Sequence, residues 1–196
     1  MAEVDFLRKL RQATSELHKA VEGLPISIDL MHDDVSWDHY VRYLTCMMEI
    51  ASHNDREVLP KVTELIPETE RRYKSTWIRK DLEILAPEAL RLPFPKLSCP
   101  PSITSTEFAL GMAYVMEGST LGGQVILKHL RAKFGAKVME SASFLSGYGS
   151  KTGSMWQAFL VSLNRYSTLE NQDTIISGAL ACFNMIHNHL RENSVA

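Results

Sequence analysis

Apolar positions recur every three or four residues along most of the chain, and no run alternates with period two for long enough to predict a strand. Near the front, Leu7, Leu10, Thr14, Leu17 and Val21 mark one face of a helix, with Gly23 and Pro25 predicting its end. Ser36 is placed to cap a second helix. Its apolar face is Trp37, Tyr40, Val41, Leu44, Met47, Met48 and Ala51, and Pro60 is its predicted stop. A shorter helix is expected over roughly Glu68 to Leu85. Pro87, Pro93, Pro95, Pro100 and Pro101 then impose an extended connection across the surface, since proline sustains neither a helix nor an internal strand. A long helix restarts near Thr104 to Thr106 and runs toward Phe134. After the irregular stretch "SFLSGYGSKTGS", two more helices, about Met155 to Tyr166 and Asp173 to Arg191, complete the pattern. The expected architecture is all-α: five to seven helices in one bundle, a single domain over residues 1–196 without internal repeats.

Composition narrows the function classes. A net charge of −2 offers no basic stripe to neutralise phosphates, which argues against nucleic acid. Apolar runs stop at about five residues, against the ~20 that a membrane span needs. The first residues, "MAEVDFLRKLRQ", have no apolar core of a signal peptide, so the expectation is a cytoplasmic protein. Cys46, Cys99 and Cys182, odd in number and widely spaced, fit reduced thiols there.

Two segments carry candidate chemistry. The first is "LRQATSELHKAVEG", Leu10 to Gly23. At about 100° per residue from Leu7, His18 falls at about 20°, Arg11 at about 40° and Glu22 at about 60°, a polar column along one border of the buried stripe. One reading is a partly buried histidine paired with Glu22 one turn on, with Arg11 reaching for water. The other is a metal-ligating imidazole whose second N–H is taken by an acceptor, the role Glu22 is placed to fill. Arg11 lies about 10 Å from His18 along the axis, close to the span from the iron of a haem to its propionate edge.

The second segment is "ALGMAYVMEGSTLGGQVILKHL", Ala109 to Leu130. Each interior glycine costs a helix about 1 kcal/mol relative to alanine. Gly111, Gly118 and Gly122 nevertheless fall within about 40° of one another on the helical wheel. Either another helix packs closely there, or something flat lies against the backbone itself. The segment "GSTLGG" follows no strand, so it is neither a dinucleotide nor a phosphate-loop fingerprint.

Taken together the two segments resemble the heme oxygenases. "LRQATSELHKAVE" looks like their proximal helix, with a basic residue, then x-A-T-x-E-x-H, then a glutamate four residues after the histidine. "YVMEGSTLGGQVI" is similar to their distal helix. "FLSGYGSKTGSMWQAF" and "WIRKDLEIL" resemble the bacterial branch, in particular the heme oxygenases that accompany bacteriophytochromes. The resemblance implies a helical bundle with haem sandwiched between a proximal and a kinked distal helix. It implies that His18 is the proximal iron ligand, Glu22 its partner and Arg11 a contact to a propionate. It matches Gly118, Ser119, Gly122 and Gly123 to the distal segment that crosses the haem face, and Tyr114 to a second propionate contact. Tyr148 and Lys151 in the later loop are further candidates for binding haem. Ser119 stands where other branches carry an aspartate that organises distal water.

The activity this implies is cleavage of haem, as substrate and cofactor at once, to biliverdin, CO and ferrous iron. It requires O₂ and an external electron donor, a ferredoxin or a flavoprotein, and a bacteriophytochrome is a possible user of the product. The chemistry needs a distal side without a strong acid, and no histidine occurs from Ala109 to Lys128. A non-catalytic haem-binding or haem-delivery protein on the same fold is the alternative. A di-iron carboxylate bundle is disfavoured, because it needs Glu-x-x-His pairs and none occurs. A phosphotransfer bundle is disfavoured by the place of His18 on the apolar border. His187 and His189, two apart, point to different faces of one helix, and His32, His39, His53 and His129 have no convergent partners in the sequence. The Met47–Met48 pair reads as core filling.

Overall fold

The computed structural model describes residues 2–194, and within them the chain is helical, with no strand among the described residues. Six long helices account for the bundle: α1 Ala2–Glu22, α2 Trp37–His53, α3 Lys74–Leu85, α4 Thr106–Phe134, α5 Thr152–Tyr166 and α6 Gln172–Asn193.

Helix α1 buries Phe6, Leu10 and Thr14, and the Thr14 hydroxyl donates back to the Leu10 carbonyl at 2.9 Å. It ends where the sequence predicts, and Pro25 opens the short helix Pro25–Ile28, a place where its missing N–H costs nothing. Ser36 caps α2 reciprocally. Its Oγ accepts from the His39 N–H, and His39 Nδ1 accepts from the Ser36 N–H, both at 3.3 Å.

Two boundaries differ from expectation. Helix α2 does not run to Pro60. It ends at His53, continues as a wider turn over Asn54–Val58, and Pro60 sits in the first turn of a further short helix, Leu59–Val62. Helix α3 does not begin near Glu68, which stands in the left-handed region at φ 53°, but at Lys74. Asp55 sets the second boundary. Its carboxylate, buried in the wide turn, accepts from the N–H groups of Lys74 at 3.2 Å and Ser75 at 2.8 Å. Asp55 thus caps α3 from a distant point in the chain, and a negative charge at a helix N-terminus is stabilising.

Helix α4, capped by Ser105 Oγ on the Phe108 N–H at 3.2 Å, forms the spine. It passes through Gly118, Gly122 and Gly123 without a break and ends at Gly135, whose φ of 73° suits glycine. Its N-terminal half crosses α6 at backbone contact. A Cβ on Gly111 would stand 1.9 Å from the Ile175 carbonyl oxygen, and one on Gly178 would stand 2.0 Å from that of Phe108. The core between them is Leu110, Ala113, Ile175, Ala179, Cys182 and their neighbours. Cys46 and Cys182 are buried free thiols, and Cys99 is exposed in the proline-rich connection.

Candidate functional site

Helix α1 displays the polar column on its surface. His18 keeps 59% of its side chain exposed, and its Nε2 lies 3.6 Å from Glu22 Oε1. That distance is beyond a hydrogen bond, so this ring nitrogen is not tied up. The flank of the imidazole rests against Phe183 of α6, ring centres 5.6 Å apart in an edge-to-face arrangement. Arg11 lies close enough to Tyr114 of α4 for its charge to act on the phenol. Burial raises the phenol's pKa, and the nearby guanidinium only partly offsets it, so Tyr114 stays a neutral phenol.

On α4 the glycines separate into two kinds. Gly111 is demanded by α6, as above. Gly123 is demanded by the short helix Ser143–Ser146, since a Cβ there would stand 3.1 Å from the Leu145 carbonyl oxygen. Gly118 is not pressed in this way: a Cβ would meet only the edge of the Trp156 ring, at 3.5 Å, an ordinary contact. Around Gly122 a Cβ would meet nothing within 4 Å. Ser119 beside them is exposed, and its hydroxyl donates to the Met116 carbonyl at 2.8 Å, leaving its lone pairs to accept.

Trp156 of α5 completes this face. It lies 5.5 Å from the Tyr114 ring and stacks on Phe159 at 5.7 Å. The structure therefore brings Arg11 to Tyr114, His18 to Glu22, and Gly118 to Tyr114 through their shared neighbour Trp156.

The later loop behaves differently. Lys151 is exposed at the end of the turn Gly149–Lys151. Tyr148 is engaged by Glu117: its hydroxyl lies 3.1 and 2.9 Å from the two carboxylate oxygens. Glu117 also binds Lys74 Nζ at 2.6 Å and, at close range, the Arg72 guanidinium. Arg72, Lys74 and Glu117 are 0, 1 and 2% exposed. Burial pushes the Glu117 carboxyl up, but Lys74 and Arg72 beside it prevail and hold it below the usual carboxylate range.

The family model for heme oxygenase matches residues 4–192. The chain belongs to the heme oxygenase family. Two solved structures show the same fold. The heme oxygenase of Neisseria meningitidis, studied with NO and CO bound, is 23% identical, with a TM-score of 0.73 over 96% of this chain and 91% of its own. That of Leptospira interrogans is 18% identical, with a TM-score of 0.75 over 95% and 98%. No curated protein matches. The all-helical bundle of this chain is thus a heme oxygenase fold, in which α1 and α4 are the elements the sequence singled out.

Four residues around α1 and α4 escaped the sequence reading. Trp156 and Phe183 look like core aromatics in their helices, and they are nearly buried. Arg72 and Lys74 sit in "RRYKSTW", which reads as a solvated charge run. The signal that was available is Glu117, an acid between Met116 and Gly118 in an otherwise apolar stretch of α4.

Proposed function

We propose that this member of the family is a working heme oxygenase, cleaving haem at one meso carbon to biliverdin, CO and ferrous iron. The observation that carries the reading is the division of the α4 glycines. Gly111 and Gly123 are required by neighbouring backbone, whereas none of the described residues requires Gly122, and Gly118 meets only a ring edge. A glycine kept in a helix interior against its propensity, with open space in front of it, is what a flat ligand lying on the backbone would demand.

The rest of the site fits haem. His18 supplies an accessible imidazole for the iron, and Glu22 one turn on would accept its second N–H after a turn of the ring. Arg11, near Tyr114, offers a guanidinium to a propionate, and Lys151 is a second exposed cation for that edge. Trp156 and Phe183 give apolar walls. Bound haem would supply O₂ activation at its iron, and its own ring would be the carbon oxidised. The chain's part is to hold the macrocycle in one orientation, to keep strong acids away from the distal side, and to offer backbone groups and the Ser119 oxygen to water there. Each of these roles is met by a residue already named. Electrons come from outside, from a ferredoxin or a flavoprotein, since the chain carries no flavin or nicotinamide fingerprint. We propose a cytoplasmic setting and a bacteriophytochrome as one user of the biliverdin.

The deciding experiment adds hemin and then a ferredoxin system or ascorbate under air. The Soret band should decay as the broad red absorption of biliverdin grows. A hemin complex that forms and survives reduction under air would make the protein a haem carrier instead.

A further inference from the structure

We propose that Glu117, with Arg72, Lys74 and Tyr148, forms a buried polar strut that sets where the open glycine segment of α4 stands against haem. The inference rests on the reading above and assigns positioning residues to it.

On the face of α4 that carries Gly118 and Gly122, a Cβ would meet only the Trp156 edge at Gly118 and no described residue within 4 Å at Gly122, and glycines weaken a helix from within. Its position must be fixed from behind. At about 100° per residue, Glu117, Thr120 and Gln124 share the side away from Gly122. Glu117 and Gln124 are fastened to other segments, and Thr120 bonds within α4. Glu117 takes Arg72, Lys74 and Tyr148. Thr120 donates to the Glu117 carbonyl at 2.7 Å, and its Cβ packs close to Gly147. The Gln124 amide donates to the carbonyls of Leu145 at 3.2 Å and Ser146 at 2.7 Å.

The fastening leads to one support. Tyr148 is presented by two glycines in the left-handed region, Gly147 at φ 53° and Gly149 at φ 60°. The preceding turn is held by Asp81 of α3, whose carboxylate accepts from the N–H groups of Ser143 at 2.6 Å and Phe144 at 2.9 Å and from the Tyr40 hydroxyl at 2.9 Å. Lys74 opens the same helix α3. Both cations also lie over the Tyr148 ring, at 5.7 Å each.

Apolar packing tolerates sliding. A carboxylate held by donors from two other segments does not, and buried charge of this kind contributes specificity of position more than net stability. One carboxylate, Glu117, thus holds both cations, while Asp55 meets Lys74 at its backbone N–H.

The test compares the full chain with Tyr148→Phe, which removes one hydrogen bond, and Glu117→Gln, which removes the charge. Amide exchange of the haem-free protein is read first. Both variants should exchange about tenfold faster at residues 118–122, the loss expected for a hydrogen bond to a charged group, with residues 108–115 unchanged. Hemin is then added. The Soret band should match wild type, since His18 is untouched. The C–O stretch of the ferrous CO complex should broaden or split, and the product should become a mixture of biliverdin isomers. Unchanged exchange in both variants overturns the strut. Faster exchange with a wild-type C–O stretch and a single wild-type isomer overturns its role toward haem and leaves a structural one. Wild-type protein that leaves hemin intact overturns the activity itself, a failure distinct from that of the exchange measurement, which needs no hemin.

Discussion

His18 and Arg11 are the residues on which the proposed chemistry turns, and each makes its own prediction. His18→Ala removes the accessible imidazole from an exposed position of α1, so the fold should persist. The hemin complex should lose its normal Soret maximum or bind more weakly, and added imidazole should restore it in part. An unchanged spectrum and affinity would remove His18 from the site. Arg11→Ala should leave axial ligation intact while mixing the biliverdin isomers, because a charge-assisted contact is worth about 1.5–3 kcal/mol and its loss shifts an orientation ratio more than tenfold. We expect wild type to give one dominant isomer, the α form, and chromatography of the two products decides. At this scale the α1 column was legible, since helical spacing alone aligns Arg11, His18 and Glu22. The buried cluster was not. Arg72 and Lys74 are charged and adjacent in sequence to other charges, and only the partner Glu117, more than forty positions away, makes their burial tolerable.

Among the elements, α4 holds the sharpest contrast. Gly111→Ala should destabilise strongly, by about 1–3 kcal/mol or more, because its Cβ would collide with the α6 backbone. Gly122→Ala, into open space, should be neutral or stabilising by up to about 1 kcal/mol. Denaturant melts of the two variants check this, and equal destabilisation would contradict the division of the glycines. The sequence showed these glycines as a single stripe, because periodicity records which side of a helix a residue faces and not what stands opposite. The start of α3 at Lys74 was lost for a related reason. Asp55 caps α3 through space, and no local pattern announces a cap supplied from another element. The cap of α2 was legible because Ser36 is adjacent to the helix it serves.

For the molecule as a whole, pH tests the core and CO release tests the function. Burial holds the imidazoles of His53 and His189 below their ordinary range. In the unfolded chain both protonate near 6.5. The folded protein then binds fewer protons, so the stability they contribute is full above about 6.5 and is lost as pH falls below it, by up to about 1.4 kcal/mol per unit for each histidine. Tm should drop between pH 7.5 and 5.5, and replacing both histidines with glutamine should flatten the profile. A flat profile in wild type would contradict the burial of these groups. If open backbone at Gly122 is the reacting face, the CO released from bound haem in a single turnover depends on it. Wild type and Gly122→Leu are compared side by side, each loaded with hemin and reduced under air. Wild type should release one CO for every haem and the variant little, with the His18-ligated spectrum retained in both. Equal yields from the two proteins, or none from wild type, would contradict that role for Gly122.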